Sequence, residues 1–322
     1  MALSTSRREF IRFGTLGAAM VATSELPSAA GQKFEVGRLG AHSRLAMSYA
    51  VVRIGLKTPF SALHISDTHL AEAYPDEHPD KVAAAAKRSQ AFGGRQEEAL
   101  AESLHWARQN VDFVVHTGDL IDFKSRANFD LVKKYFGGNM FGSMGNHEFC
   151  EYTKESPSGR GEDFKAASWA ALKEAFPVDP RIDSRVVNGV NFVALDDVFG
   201  TIGEDQFARI REEAEKDLPM VLMMHVPLMT PDVAAASWKY WRQTGRKFSG
   251  LPAEPPTAGD HFDQTHDKTT VACVNYLRGE KRLRAVLTGH EHLSMEERFS
   301  PTAVQYLTGG NFKFVAREVL FL

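Results

Sequence analysis

Seven side chains of metal-ligand type are spread along this chain in five short clusters: Asp67 with His69, Asp119, Asn146, His225, and His290 with His292. Each cluster follows an apolar run, so each would be delivered by the end of a buried strand. Carboxylate and imidazole together suit Zn, Fe or Mn. In an extended chain, residues i and i+2 project to the same side, so Asp67 and His69 converge if the strand geometry continues through them. Each cluster also has a plain structural reading. His225 alone would be a satisfied core histidine, and Asp67/His69 or His290/His292 a polar turn. Five coincidences of ligand type and strand-end position point instead to two metal positions. The tetrapeptide Gly145-Asn146-His147-Glu148 carries a ligand and, beside it, a second imidazole.

These residues need strands to hold them and helices to cover the strands. Apolar runs at 59–66, 111–117, 139–144, 219–224 and 283–288 read as buried strands that end at the clusters. Further strands are expected at 33–39, 44–56, 303–308 and 312–321, and a hairpin over 184–197 turns at Asn188-Gly189. Helices are expected at 81–89, 96–109, 128–135, 164–175, 204–216 and 270–277, the second with Leu100, Leu104, Trp106 and Ala107 facing a sheet. Strand, helix, strand with a carboxylate at the strand's C-terminal end is where α/β sheets place sites. Asp119 stands at such a place. The segment 229–269 reads as a long insert with an aromatic-basic cluster, Trp238 to Arg242.

The chain has 322 residues, 43% hydrophobic and 25% charged, with a formal charge of -3. That composition suits a globular protein with a sizeable core and lacks the basic footprint of a nucleic-acid binder. Two cysteines, Cys150 and Cys273, are too few for a disulfide framework or a Cys-rich zinc site. An oxidising compartment would still allow the two to pair. Arg7-Arg8 followed by Phe10-Ile11, an uncharged stretch at 13–24 and the small residues Ser28-Ala29-Ala30 resemble a twin-arginine export signal over 1–30. The uncharged stretch is far shorter than the roughly 20 residues a membrane span needs. A periplasmic or secreted protein, handled by the twin-arginine machinery and with no stable span after cleavage, is the expectation. One domain would then cover 31–322, with inserts near 71–94, 150–183 and 229–269.

The ordered set Asp67-x-His69, Gly118-Asp119-x-x-Asp122, Gly145-Asn146-His147-Glu148, His225 and Gly289-His290-x-His292 resembles the calcineurin-like metallophosphoesterases across roughly residues 58–310. The resemblance implies a four-layer α/β/β/α sandwich with two central mixed sheets. It implies a dinuclear site in which Asp67, His69 and His292 hold one ion, Asn146, His225 and His290 the other, and Asp119 bridges. Two divalent or trivalent ions (Mn, Fe or Zn) roughly 3.5–4 Å apart would generate a bridging hydroxide at neutral pH. His147 would be the acid facing the leaving group, and Asp122, by likeness to the phosphoprotein phosphatases, would orient it. Glu148 would either support the site or simply be solvated.

Departures within the motifs narrow the class. No Tyr follows Gly118-Asp119, unlike the purple acid phosphatases. Phe123-Lys124 and Phe149-Cys150 stand where serine/threonine protein phosphatases carry arginines. A small or lipid-derived phosphate ester is therefore the expected substrate, with diesters slightly favoured over monoesters. The alternatives are a non-catalytic binding scaffold on the same fold and a nuclease of the superfamily. Specificity would come from a flap near 74–94 or from a lid built of Trp238 to Arg242 with Arg246, Lys247, His261 and His266.

Overall fold

The structure, a computed structural model, describes residues 37–38, 44–154, 162–244 and 267–322. Two six-stranded mixed sheets form its centre. The first contains β1 (Gly37–Arg38), β2 (Ala46–Val52), β3 (Phe60–Ile65), β4 (Phe113–Thr117), β5 (Met140–Ser143) and β12 (Val315–Phe321), ordered β1-β2-β12-β3-β4-β5. The second contains β6 (Ile182–Val187), β7 (Val190–Leu195), β8 (Met220–Met223), β9 (Leu283–Thr288), β10 (Met295–Arg298) and β11 (Val304–Leu307), ordered β10-β11-β9-β8-β7-β6.

The period-2 alternation of strand side chains divides the second sheet's residues between two faces. Phe192, Ala194, Val221, Met223, Ala285 and Leu287 join the core shared with the first sheet. Val193, Leu195, Leu222, Met224 and Val286 form a separate core on the other face. Helices α5 (Glu204–Glu215) and α7 (Lys268–Gly279) cover that outer face through Ile210, Cys273 and Leu277. Helix α2 (Gln96–Asn110) covers the first sheet with Ala99, Leu100, Trp106 and Ala107, spaced to line one helical face. Between the sheets, Phe192 meets Phe113 at 4.9 Å and Phe321 at 5.4 Å, ring centre to ring centre. Two mixed sheets packed face to face with helices outside are the architecture that the motif resemblance implied.

Strand direction sets the site's location. Strands β3, β4 and β5 run parallel to one another, as do β7, β8 and β9. Their C-terminal ends, where the ligand-type clusters stand, therefore emerge on one edge of each sheet. Strands β3, β4, β5, β7 and β8 are buried along their whole length, as parallel strands covered on both faces should be.

The other described helices are α1 (Pro79–Ala91), α3 (Arg126–Tyr135), α4 (Glu162–Ala175) and α6 (Pro231–Thr244). Three expectations are corrected. Residues 231–244, read as part of a loop-like insert, form α6, whose buried Val233, Ala234, Ser237 and Trp241 share one face. Residues 295–298 add an unanticipated edge strand, β10; its polar Glu296-Glu297-Arg298 hid the pattern because the strand is only half-buried. The last strand begins at Val315 rather than Phe312, because 311–313 form a 3₁₀ turn closed by left-handed Phe314. Cys150 and Cys273 are buried in different hydrophobic clusters and form no disulfide with each other. Residues 1–30, Arg246, Lys247, His261 and His266 lie outside the described residues. Among those described, no helix is long and apolar enough to cross a membrane.

Candidate metal centre

The loops that leave the parallel strands carry five of the seven ligand-type residues in left-handed backbone. Asp67 (φ 53°), His69 (55°), Asp119 (55°), His290 (67°) and His292 (53°) all have positive φ. This corrects the extended Asp67/His69 geometry expected above. The strand ends at Ile65, and the two side chains converge through a tight left-handed loop. Such φ values are several-fold more accessible to Asp and His than to β-branched residues, so the residue types fit the backbone as well as the chemistry. Gly118 has φ +86°, and a Cβ there would lie 2.6 Å from both the Gly145 nitrogen and His225 Nδ1. Only glycine lets the β4 and β5 loops approach this closely.

On one side of the site, His292 Nε2 lies 3.2 Å from Asp67 Oδ1 and 3.2 Å from His69 Nε2. On the other, His225 Nε2 lies 3.2 Å from each of Asp119 Oδ2, Asn146 Oδ1 and His290 Nδ1. Asp119 Oδ2 is also 3.7 Å from His69 Nε2, so one carboxylate spans both groups. The structure thus brings all seven sequence-identified residues together, with Asp67, His69 and His292 on one side, Asn146, His225 and His290 on the other, and Asp119 between them.

Ring nitrogens packed this closely, with buried carboxylates between them, fit atoms that share an ion at about 2.0–2.2 Å. Asp67, His69 and His292, and likewise Asp67, Asp119 and His225, place ligand atoms within 4.8 Å of one another. Buried carboxylates need a cation or hydrogen-bond donors, and Asp67 and Asp119 are almost fully buried. His69, Asp119 and His147 make a third close group. There, however, His147 Nδ1 is already engaged with Asp122 Oδ1 at 3.0 Å and the Tyr152 hydroxyl at 3.0 Å.

The charges in the pocket shape one another. Burial opposes ionisation of Asp119, yet the His225 and His147 imidazoles hold its carboxyl well below the usual range. Burial would lower the pKa of His225, but Asp119 and Asp67 raise it to about 10. His147 is likewise raised, against its burial, by Asp119 and Asp122. His69 moves the other way, down to about 4, because burial outweighs its hydrogen bond to Asp122.

Several residues that serve the site were left open or unmarked by the sequence. Glu148 is buried rather than solvated: its carboxylate accepts from the backbone N–H groups of Asp119 (2.9 Å), Ile121 (3.0 Å) and Gly145 (2.6 Å), tying two ligand loops together. Asp197 does the same for a third loop, accepting from the N–H groups of His225 (3.0 Å) and Val226 (3.2 Å). It follows a buried apolar strand, β7, the same signal that marked the other clusters. Phe92 stacks on His69 with 3.9 Å between ring centres. Arg88 of α1 grips Asp122 through Nε (2.5 Å) and Nη2 (2.9 Å). Nothing in its sequence context set it apart from its neighbour Lys87.

Asp122 accepts from His69 Nδ1 (2.9 Å) as well as standing 3.0 Å from His147 Nδ1. Of the aromatic-basic cluster, Trp241 reaches the site: its Nε1 donates to Glu291 at 2.6 Å, and its ring lies 5.3 Å from that of His292. Tyr240 accepts from Lys313 Nζ at 2.8 Å.

Comparison with solved structures finds a dimetal phosphatase from Danio rerio, 15% identical, with 79% of this chain and 88% of that chain covered and a TM-score of 0.42. A putative 5'-nucleotidase from Staphylococcus aureus is 15% identical, with 79% and 49% covered and a TM-score of 0.44; this chain thus spans about half that protein's length. A calcineurin-like phosphoesterase from Bacillus subtilis is 13% identical, with 79% and 82% covered and a TM-score of 0.36. No curated protein matches the chain. The calcineurin-like phosphoesterase family model matches residues 60–294, from the strand that leads into Asp67 to just beyond His292. By that match, over most of its length and across every cluster of the site, the chain belongs to the calcineurin-like phosphoesterase family.

Proposed function

We propose that this protein is a metal-dependent phosphohydrolase that cleaves a small or lipid-derived phosphate ester. The observation that carries this reading is the pair of ligand groups sharing Asp119, with His147 held beside them. Asp67, His69 and His292 would hold one ion, Asn146, His225 and His290 the second, and Asp119 both. When bound, such ions supply a water-derived nucleophile at neutral pH and neutralise charge on the phosphoryl oxygens.

The chain's own residues do the rest. Asp122 holds the His147 ring by its Nδ1, which leaves Nε2 as the nitrogen available to substrate. Asp119 and Asp122 raise the pKa of His147 against its burial, the direction an acid needs to pass a proton to the departing oxygen. Asp119 Oδ1 accepts from the His147 backbone N–H at 2.9 Å, so the acid and the shared ligand keep a fixed relation. The paired arginines and small-residue motif near the N-terminus support export through the twin-arginine machinery to the periplasm or beyond.

The test is hydrolysis of p-nitrophenyl phosphate and bis-p-nitrophenyl phosphate by protein stripped of metal and then reloaded with Mn²⁺, Fe²⁺ or Zn²⁺. Turnover that appears only on reloading supports the reading. No turnover of either ester by any reloaded form contradicts it and returns the non-catalytic scaffold to first place.

A further inference from the structure

The family motifs in this chain lack arginine, yet a guanidinium stands at the site. Arg88 comes from α1, within the insert expected near 71–94. It uses one edge on Asp122, through Nε and Nη2. Its guanidinium carbon lies 5.1 Å from the Phe92 ring centre and 5.2 Å from that of Tyr152, so two aromatic faces fix the head group.

Arginine carries five N–H donors, and Asp122 takes two. Both hydrogens on Nη1 and the outer one on Nη2 have no partner among the described residues. The side chain remains 28% exposed while Asp122 is fully buried. Arg88 Nη2 and His147 Nδ1 lie 2.9 and 3.0 Å from the same oxygen, Asp122 Oδ1. The guanidinium and the imidazole are therefore neighbours across one atom. Lys124, the cation adjacent in sequence to the motif, turns away to Ser168 and Glu151.

We infer that Arg88 is a specificity-determining residue that binds an unesterified phosphoryl oxygen of the substrate, and so directs the site towards phosphate monoesters. This rests on the phosphohydrolase reading above. A monoester presents three unesterified oxygens and, near neutral pH, up to two negative charges, since its second pKa is about 6. A diester presents two such oxygens and one charge. A fixed guanidinium with free N–H groups gains a charge-assisted, potentially two-pronged contact from the monoester's extra oxygen. It gains none from an esterified one. A monoester preference runs against the sequence-based lean towards diesters, and it rests on a cation that only the fold brings to Asp122.

The experiment compares wild type, Arg88→Ala and Arg88→Lys, all metal-loaded and checked for ion content and thermal melting. It measures kcat/KM on p-nitrophenyl phosphate and bis-p-nitrophenyl phosphate, and affinity for inorganic phosphate by calorimetry. Arg88→Ala should lower the monoester-to-diester ratio of kcat/KM by about tenfold or more, and weaken phosphate binding by a similar factor. Arg88→Lys, which keeps the charge and loses the fork, should fall between, and serves alone if the alanine variant does not fold. Equal losses on both esters would mean that Arg88 acts only through Asp122 and would overturn the inference, as would unchanged phosphate binding. If wild type hydrolyses neither ester while Arg88→Ala still weakens phosphate binding about tenfold, the catalytic reading fails and the phosphate contact stands.

Discussion

Glu148 and Asp197 show how carboxylates can serve a metal centre without touching metal. Each accepts backbone N–H bonds from the loops that carry ligands. Burial pushes the pKa of each up to about 7, against the pull of those same bonds. Replacing Glu148 by Ala would strand three buried donors, each at a cost of about 1–3 kcal/mol. We expect Glu148→Ala to lower unfolding free energy by at least about 3 kcal/mol, read by denaturant titration, and to weaken ion binding. A wild-type midpoint would show that water takes over the staple. The ligand-type residues were legible in the sequence because their chemistry is unusual at strand ends. Glu148 was visible but its role was not, since that depends on the Asp119 and Ile121 amides, which arrive from another loop. Arg88 and Tyr152 gave no signal, because each meets the site only through the path of its own segment.

At the scale of elements, the site is built from loops rather than from strand ends. Five ligand-type residues hold left-handed backbone, which costs about 1–2 kcal/mol per residue relative to the right-handed form. The loops persist because their neighbours over-determine them: His69 N–H donates to the Asp119 carbonyl, and Asp67 N–H to that of Gly118. Asp67 in turn accepts from the His290 N–H at 3.0 Å, which links the two sheets. Gly145→Ala would drive a methyl into the Asp119 carboxylate. That variant should lose ion binding in calorimetry even where circular dichroism reports an intact fold; full ion stoichiometry would count against the close approach described here. Buried strands and the 96–109 helix were readable from periodicity. The left-handed loops and half-buried β10 were not, since neither carries a repeating apolar pattern.

For the whole molecule, two sheets each deliver part of one centre, with Asp67, His69, Asp119 and Asn146 from the first and His225, His290 and His292 from the second. Ions bound between them should therefore stabilise the sheet-to-sheet arrangement. Free metal at 100 times its dissociation constant would contribute about 2.7 kcal/mol per site, so chelation should lower the melting temperature by several degrees; an unchanged melting temperature would place the ions elsewhere. Replacing Arg7 and Arg8 by Lys should leave the protein uncleaved inside the cell, and periplasmic recovery of that variant would refute the export reading. The most direct test of the central claim is ion content and ester turnover measured together on His147→Ala. We expect two ions per chain, as in wild type, with kcat on p-nitrophenyl phosphate reduced by about 10²–10⁴. Loss of an ion would make His147 a ligand instead, and wild-type turnover would remove it from the chemistry.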